Sequence, residues 1–527
     1  MKKLKEHEIS ILILLAVVIF GIWVRFTPVL QANFPINDGG MFYTMINDLH
    51  ENNFVLPKFT SYNLANIPYA YPPLGFYLSA VIKTVFGVNT IFILTYLPPV
   101  LSAVAIFAFF SLAHQLFSGS WQKAVMATTA FALIPRSYSW FIMGGGLTRS
   151  LGQIFLLLML TNLLRLYKNG EAKDIWITGF LGGLVVLSHP EATVHAITAA
   201  ILFWAFLSHN RKSLLQSLLV AALVLLVSSP WWGTVLWHHG LAPFISAIQT
   251  GGHSLTSVTG LLAFTFAEEQ LATVVTVLGM IGMLFQLSQN NYFLSIWLLI
   301  HFITQPRSAT AIAIYPLSLL SAIALTDVIF PALQKSLNEI TGEKKTPPLL
   351  SKRNILVTIA CLIIYLTMAS SLYSNNIMQF HLLPSDLEAM QWVKKNTHVD
   401  SNFLILSIEK GSMTQYAAEW FPSLSERRSQ LTLQGREWTL GESFMSAMQS
   451  YEIIQACIHQ DLMCIEDRTK TLNIKFSHIF IKKPYAESPE FAEVESVKLL
   501  LIDDLNTSPN YQLVYENATA IVFGKTP

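Results

Sequence analysis

Long apolar runs separated by short polar loops fill the first 375 residues. They cover roughly residues 9–28, 92–116, 123–140, 150–166, 174–188, 192–208, 213–233, 270–287, 292–304, 309–330 and 354–373. A helix needs about 20 residues to cross a bilayer, so several of these runs are short or tilted. They predict eleven spans. One further stretch, Leu74 to Phe86, is shorter and carries Lys83; it reads as a juxtamembrane helix. From about Leu383 the pattern changes. Pro384 to Val393 reads as an amphipathic helix with Ser385 and Glu388 in capping-box spacing. Phe403-Leu404-Ile405-Leu406 and Ile479-Phe480-Ile481 read as buried strands, Glu442 to His459 as a helix, and Tyr511 to Phe523 as a hairpin turning at Glu516-Asn517. The chain thus reads as a polytopic α-helical membrane protein, residues 1–375 with a first outer loop at 29–91. A soluble α/β domain, residues 376–527, follows.

Loop charges orient the runs. Arg165 to Lys173, Arg211-Lys212 and the Lys344-Lys345 to Lys352-Arg353 region are basic, as is the Lys-rich N-terminus. Positive loops favour the cytoplasmic side. All fall there only if residues 74–86 do not cross the membrane. Asp38, Tyr71, the 136–149 loop, the His189-Pro190-Glu191 turn, the 238–270 segment, Arg307 and the C-terminal domain then share the extracytoplasmic face. The expected location is the plasma (inner) membrane, with a cytoplasmic N-terminus that reads as an uncleaved anchor.

Composition agrees: 53% of the 527 residues are hydrophobic and 12% charged, about half the charged share of soluble domains. No basic stripe, zinc spacing or phosphate loop points to nucleic acid or nucleotide. Cys457 and Cys464 lie seven apart on the expected oxidising side, where a disulfide and two free thiols are both open; Cys361, inside a span, reads as packing. Asn506 and Asn517 head glycosylation sequons.

Asp38 is the first candidate for chemistry. It stands in Asn37-Asp38-Gly39-Gly40, just past the first span, where the glycines allow close approach. A general base needs a carboxylate held near the attacked hydroxyl; the bland alternative is a helix cap. Asp48 reads as an exposed loop residue. Arg136 and Arg149 flank Gly144-Gly145-Gly146, and Arg307 sits between two spans. Arginine forks suit phosphate, and glycine-exposed N–H groups at a helix start suit an anion; the alternative is snorkelling to lipid headgroups. His189, Glu191 and His195 lie at a hairpin tip and read as interface-wetted. Together with Asp38 and Glu268 or Glu269 they are also an alternative ligand set for a divalent metal, although no fixed spacing supports it. His238, His239 and His253 read as surface.

Asp38 after the first span, Tyr71-Pro72-Pro73-Leu74 before a juxtamembrane helix, the external arginine loops and the α/β tail together carry a resemblance. The chain resembles the GT-C membrane glycosyltransferases, among them protein O-mannosyltransferases, aminoarabinose transferases and oligosaccharyltransferase catalytic subunits. That resemblance implies a hexosyl- or pentosyltransferase. It would move a sugar from a polyprenyl-phosphate donor to a lipid, glycan or protein acceptor, with inversion. Asp38 would orient or deprotonate the acceptor, Arg149, Arg307 and Arg136 would hold the donor phosphate, and Tyr71, His189, Glu191 and Glu268 would line the pocket. Two departures stand out. Asp38 is followed by glycine where many relatives have a second acid, and residues 136–150 contain no Asp or Glu, which argues against an Asn-linked transferase and leaves a metal requirement open. The competing classes are a transporter or flippase of polyprenyl-linked glycans and a catalytically inactive relative.

Overall fold

The computed structural model describes residues 6–250, 273–333, 335, 352–378, 380–407, 416–483 and 500–526. Every apolar run of the sequence lies in a helix over its described residues, with one exception. The run at 123–140 is helical only as α5 (Trp121–Leu133); Pro135 then turns the chain through two 3₁₀ turns, Pro135–Ser137 and Ser139–Phe141. Proline lacks the N–H that a continuing helix would need. By length and composition, six helices among the described residues suffice to cross a membrane, including α1 (Glu6–Ala32) and α4 (Thr90–Leu116).

Polar contacts fix how the first helices run. Tyr96 of α4 meets Asn33 just beyond α1 (3.5 Å), and six residues later Ser102 accepts from Arg25 Nε (3.0 Å). Numbers rise along α4 as they fall along α1, so the two are antiparallel, and α4 starts at the end of the bundle where α1 finishes. Between them lie α2 (Gly40–Glu51) and α3 (Leu74–Phe86). Asn47 Oδ1 of α2 accepts from Lys83 Nζ at 2.8 Å and from Thr90 Oγ1 at 2.7 Å. The 33–89 segment therefore leaves and re-enters the bundle at one end, and α3 does not cross it.

Arg25 is wholly buried in α1 without a carboxylate beside it. Its guanidinium donates to Ser102 Oγ, to the Gly21 and Ala132 carbonyls and to Ser137 Oγ, and it lies over the Tyr138 ring. Neutral acceptors satisfy the buried cation, and it ties α1, α4 and α5 together.

In the C-terminal part, five strands, numbered β1 (Asn402–Ser407), β2 (Arg428–Ser429), β3 (His478–Lys482), β4 (Tyr511–Glu516) and β5 (Ala520–Lys525), are ordered β2-β1-β3-β5-β4. In that order the first three strands are mutually parallel and the fourth, Ala520–Lys525, is antiparallel to both its neighbours, with Leu404 opposite Ile479 and Ile479 opposite Phe523. Side chains alternate between faces. Leu404, Leu406, Ile479, Ile481 and Phe523 share one core with the Phe444–Gln455 region. Phe403, Ile405, Phe480 and Val522 share another with Met41, Phe42, Met45, Tyr62 and Phe76 of the first outer loop. Burial on both faces is why these strands read as unbroken apolar runs.

Several expectations are corrected. The helix Pro384–Asn396 is capped by Asp386, whose carboxylate accepts the Leu383 N–H at 2.9 Å, while Ser385 is bonded to Thr519 across the domain. The predicted helix at 442–459 is α-helical only over Phe444–Gln455, between 3₁₀ turns. Cys457 and Cys464 are disulfide-bonded, and Cys361 is exposed on its helix rather than packed. A lipid-facing position need only be apolar, so hydrophobicity does not mark it as buried. Asn517 is committed to the hairpin: its side chain accepts from the Thr519 and Ala520 N–H groups and donates to the Ser385 carbonyl.

Candidate active site

Asp38 is placed by the turns that follow α1. Asn33 (φ 52°) and Asn37 (φ 56°) take left-handed conformations that asparagine tolerates, and Gly39 (φ 129°) takes one that needs glycine. The residue is 9% exposed, and its carboxylate does not cap α2, the helix that follows it. Oδ1 accepts the Gly145 N–H at 2.8 Å and Oδ2 accepts from Arg149 Nη2 at 2.9 Å. A Cβ on Gly145 would stand 2.3 Å from Oδ2, and one on Gly144 would stand 2.0 Å from the Asp38 carbonyl oxygen. The triple glycine does expose an N–H to an anion, as its position before α6 (Gly146–Asn169) suggests, but the anion is the Asp38 carboxylate.

Arg149, one turn into α6, also donates to the Trp140 carbonyl at 3.2 Å and lies over the Trp140 ring. Beside it on α6, Thr148 shares a hydrogen bond with the Tyr71 hydroxyl at 3.2 Å. Burial pushes the Tyr71 phenol up, and Arg149, Glu191 and Asp38 are all close enough to act on it. Tyr71 packs against Phe42, His189 and Trp438. Glu191, at the start of α8 (Pro190–Leu207), lies 3.6 Å from Arg307 Nε. His189 is within electrostatic reach of Glu191, Arg149, Arg307 and Asp38. The structure thus brings together Asp38, Arg149, Tyr71, His189, Glu191 and Arg307, drawn from five separate stretches of chain. Arg136 lies instead within electrostatic reach of Tyr373 of the Lys352–Met378 helix.

Other candidates fall elsewhere. His195 is buried, not interface-wetted: Nδ1 pairs with His301 Nδ1 at 3.0 Å and Nε2 with Ser308 Oγ at 2.8 Å. Asp48 is no free loop residue; it accepts from Thr60 Oγ1, Ser61 N and Ser61 Oγ. His239 Nε2 donates to the Lys58 carbonyl at 2.7 Å. Glu268, Glu269 and His253 lie outside the described residues. Among the described residues no three His, Cys, Asp or Glu side chains converge in a way that fits a metal, and no step below is routed through one.

Sequence reasoning missed the contribution of the C-terminal domain. The helix Tyr416–Ser425 sits on the Asp38 loop. Glu419 Oε1 accepts the Gly39 N–H at 2.9 Å, Trp420 Nε1 donates to the Asn37 carbonyl at 3.0 Å, and Ser423 Oγ donates to the Gly40 carbonyl at 2.6 Å. Trp438 closes on Tyr71, and burial raises the Glu437 carboxyl, with Arg307 near enough to oppose that shift. The available signal was an acid set inside the apolar run Tyr416 to Phe421, with its neighbours buried around it.

Residues 70–233 match the family described as dolichyl-phosphate-mannose-protein mannosyltransferase. No curated protein sequence matches the chain significantly. Among solved structures it is similar to the oligosaccharyltransferase AglB of the archaeon Archaeoglobus fulgidus, solved with an inhibitory peptide and a dolichol-phosphate. That similarity has 14% identity and a TM-score of 0.59, over 89% of this chain and 69% of that one. It is also similar to ArnT of Cupriavidus metallidurans bound to undecaprenyl phosphate, at 11% identity and a TM-score of 0.53 over 97% of each chain. A third is the mycobacterial arabinofuranosyltransferase AftD, at 12% identity and a TM-score of 0.56, over 98% of this chain but 40% of the other. The chain has the GT-C fold: an integral membrane helical bundle with a small C-terminal sheet domain.

Proposed function

We propose that the protein is a membrane glycosyltransferase that moves a sugar from a polyprenyl-phosphate donor to an extracytoplasmic acceptor with inversion. The observation that carries this reading is the caged carboxylate of Asp38, held by Gly145 and Arg149 at the mouth of a GT-C bundle. Each Asp38 oxygen accepts one hydrogen bond from the protein and keeps a lone pair for an acceptor hydroxyl. In the step proposed, that hydroxyl gives its proton to Asp38 while its oxygen bonds to the anomeric carbon. The bond from that carbon to the phosphate oxygen breaks, and its electron pair leaves with the polyprenyl phosphate.

Charge moves consistently through this sequence. As Asp38 takes the proton, Arg149 loses its anionic partner while the leaving phosphate gains negative charge nearby. Arg307, held loosely by Glu191 and exposed, is the second cation available to that phosphate. Tyr71, Trp438 and His189 form the pocket wall.

A panel of polyprenyl-phosphate sugars offered to the purified full chain tests the reading, with Asp38→Asn beside wild type. Asn keeps size and one acceptor oxygen but loses the charge, so transfer should drop by about 10²–10⁴ while the protein stays folded. Wild-type turnover by Asp38→Asn would remove Asp38 from the chemistry. No turnover with any donor would point to the carrier class instead.

A further inference from the structure

We propose that Glu419 is the positioning residue for Asp38, so that docking of the C-terminal helix Tyr416–Ser425 completes the active site. The contacts bracket Asp38 along the backbone. Asn37 is held by Trp420, Gly39 by Glu419, and Gly40 by Ser423, whose hydroxyl is also 2.9 Å from Thr44 Oγ1. Glu419 reaches on toward the Met41 N–H at 3.5 Å, so its carboxyl stands at the open start of α2, where N–H groups lack helical partners. The Tyr62 hydroxyl donates to the Glu419 carbonyl at 2.7 Å and fixes that residue in turn. A Cβ on Gly39 would meet Trp420 at 3.1 Å on one side and Gly144 on the other. The reactive loop is thus clamped between Gly144 and the C-terminal helix, whose Glu419 lies 380 residues from Gly39 in sequence.

The state of the Glu419 carboxyl follows from its surroundings. It is 3% exposed, and its Oε2 has no hydrogen-bond partner among the described residues. The charged and titratable groups facing it are Asp38 and Tyr62 from the first outer loop and Arg149 from the bundle, and Arg149 is already engaged by Asp38. Burial, then the Asp38 charge, push its pKa up to about 8. At neutral pH it is therefore mainly the neutral acid, holding Gly39 through its carbonyl oxygen without placing a second negative charge beside Asp38.

This inference rests on the transferase reading for its kinetic arm only. With farnesyl-phosphoryl mannose as donor, Glu419→Ala should lower kcat by about ten- to a hundred-fold with little change in KM, the effect of a misplaced reacting group. Glu419→Gln restores the Gly39 bond, so it should recover most of that loss; wild type should lose rate as pH rises through about 8, and Glu419→Gln should lack that fall. Equal damage in the Gln and Ala variants, or a wild-type kcat in both, would overturn the role.

The second arm needs no turnover. A carboxyl with a raised folded-state pKa binds more protons folded than unfolded between the ordinary carboxylate range and about 8. Its contribution to stability is full below that window and is lost as pH rises through it. The unfolding midpoint of the purified full chain should therefore fall across the window, and Glu419→Gln should remove that part of the fall. Asp38→Asn should end the fall at lower pH, because one cause of the upward shift is gone. An unchanged profile in Asp38→Asn would mean that Glu419 does not serve Asp38. If wild type transfers no sugar from any donor of the panel but these profiles hold, the transferase reading fails and the clamp stands.

Discussion

At the scale of single residues, the site depends on how closely backbone and carboxylate approach. Gly145→Ala puts a methyl group 2.3 Å from Asp38 Oδ2, nearer than such contacts occur, so Asp38 must move away from the Gly145 N–H. Transfer should be lost in a folded protein. Gly233→Ala is the matched control, since its Cβ would meet nothing within 4 Å; equal activity of the two variants would show that the cage is not needed. Arg149→Ala removes one hydrogen bond to a charged group, about 1.5–3 kcal/mol, or roughly ten- to a hundred-fold in kcat/KM. Lysine there should restore part of it, because an ammonium keeps the charge but cannot serve Asp38 and the Trp140 carbonyl from one planar fork. Steady-state kinetics at matched membrane levels would decide, and wild-type values for the alanine variant would leave Arg149 a structural partner of Asp38 with no part in transfer.

At the scale of elements, the helices were legible because a bilayer demands long apolar runs, and α3 was found at its full extent, Leu74–Phe86. What local pattern could not show was the destination of polar side chains. Asp48 looks like a loop residue in sequence, yet it fastens α2 to the Thr60-Ser61 turn through three hydrogen bonds. Asp386 and not Ser385 closes its helix, since both residue types cap well and only tertiary packing assigned Ser385 to Thr519. Asp48→Asn should therefore weaken the loop, by about 1–3 kcal/mol for charged-group bonds made weaker or lost, while turnover per folded molecule holds. Thermal unfolding together with active-fraction titration separates those effects; an unchanged midpoint would mean that the turn is held by other contacts.

At the scale of the whole molecule, Asp38, Arg149, Tyr71, Glu191 and Arg307 could be nominated from sequence because each stands at a span end, and the fold gathers span ends. Glu419 could not, because no pattern in residues 416–425 says which surface that helix will cover. The same reasoning yields a test of orientation. Tyr96 against Asn33 and Arg25 against Ser102 make α1 and α4 antiparallel, so residue 89 shares the Asp38 end of the bundle and residue 120 lies at the other. The loop at 165–173 follows α6, which starts beside Asp38 and runs 24 residues away from it. Basic loops favour the cytoplasm, so the Asp38 end should be extracytoplasmic. Single cysteines at Asn89 and Ser120, labelled in intact cells by a membrane-impermeant maleimide, should react at 89 and stay protected at 120. The reverse pattern would put Asp38 on the cytoplasmic side and with it the disulfide Cys457–Cys464, in a reducing compartment where such a bond would not persist.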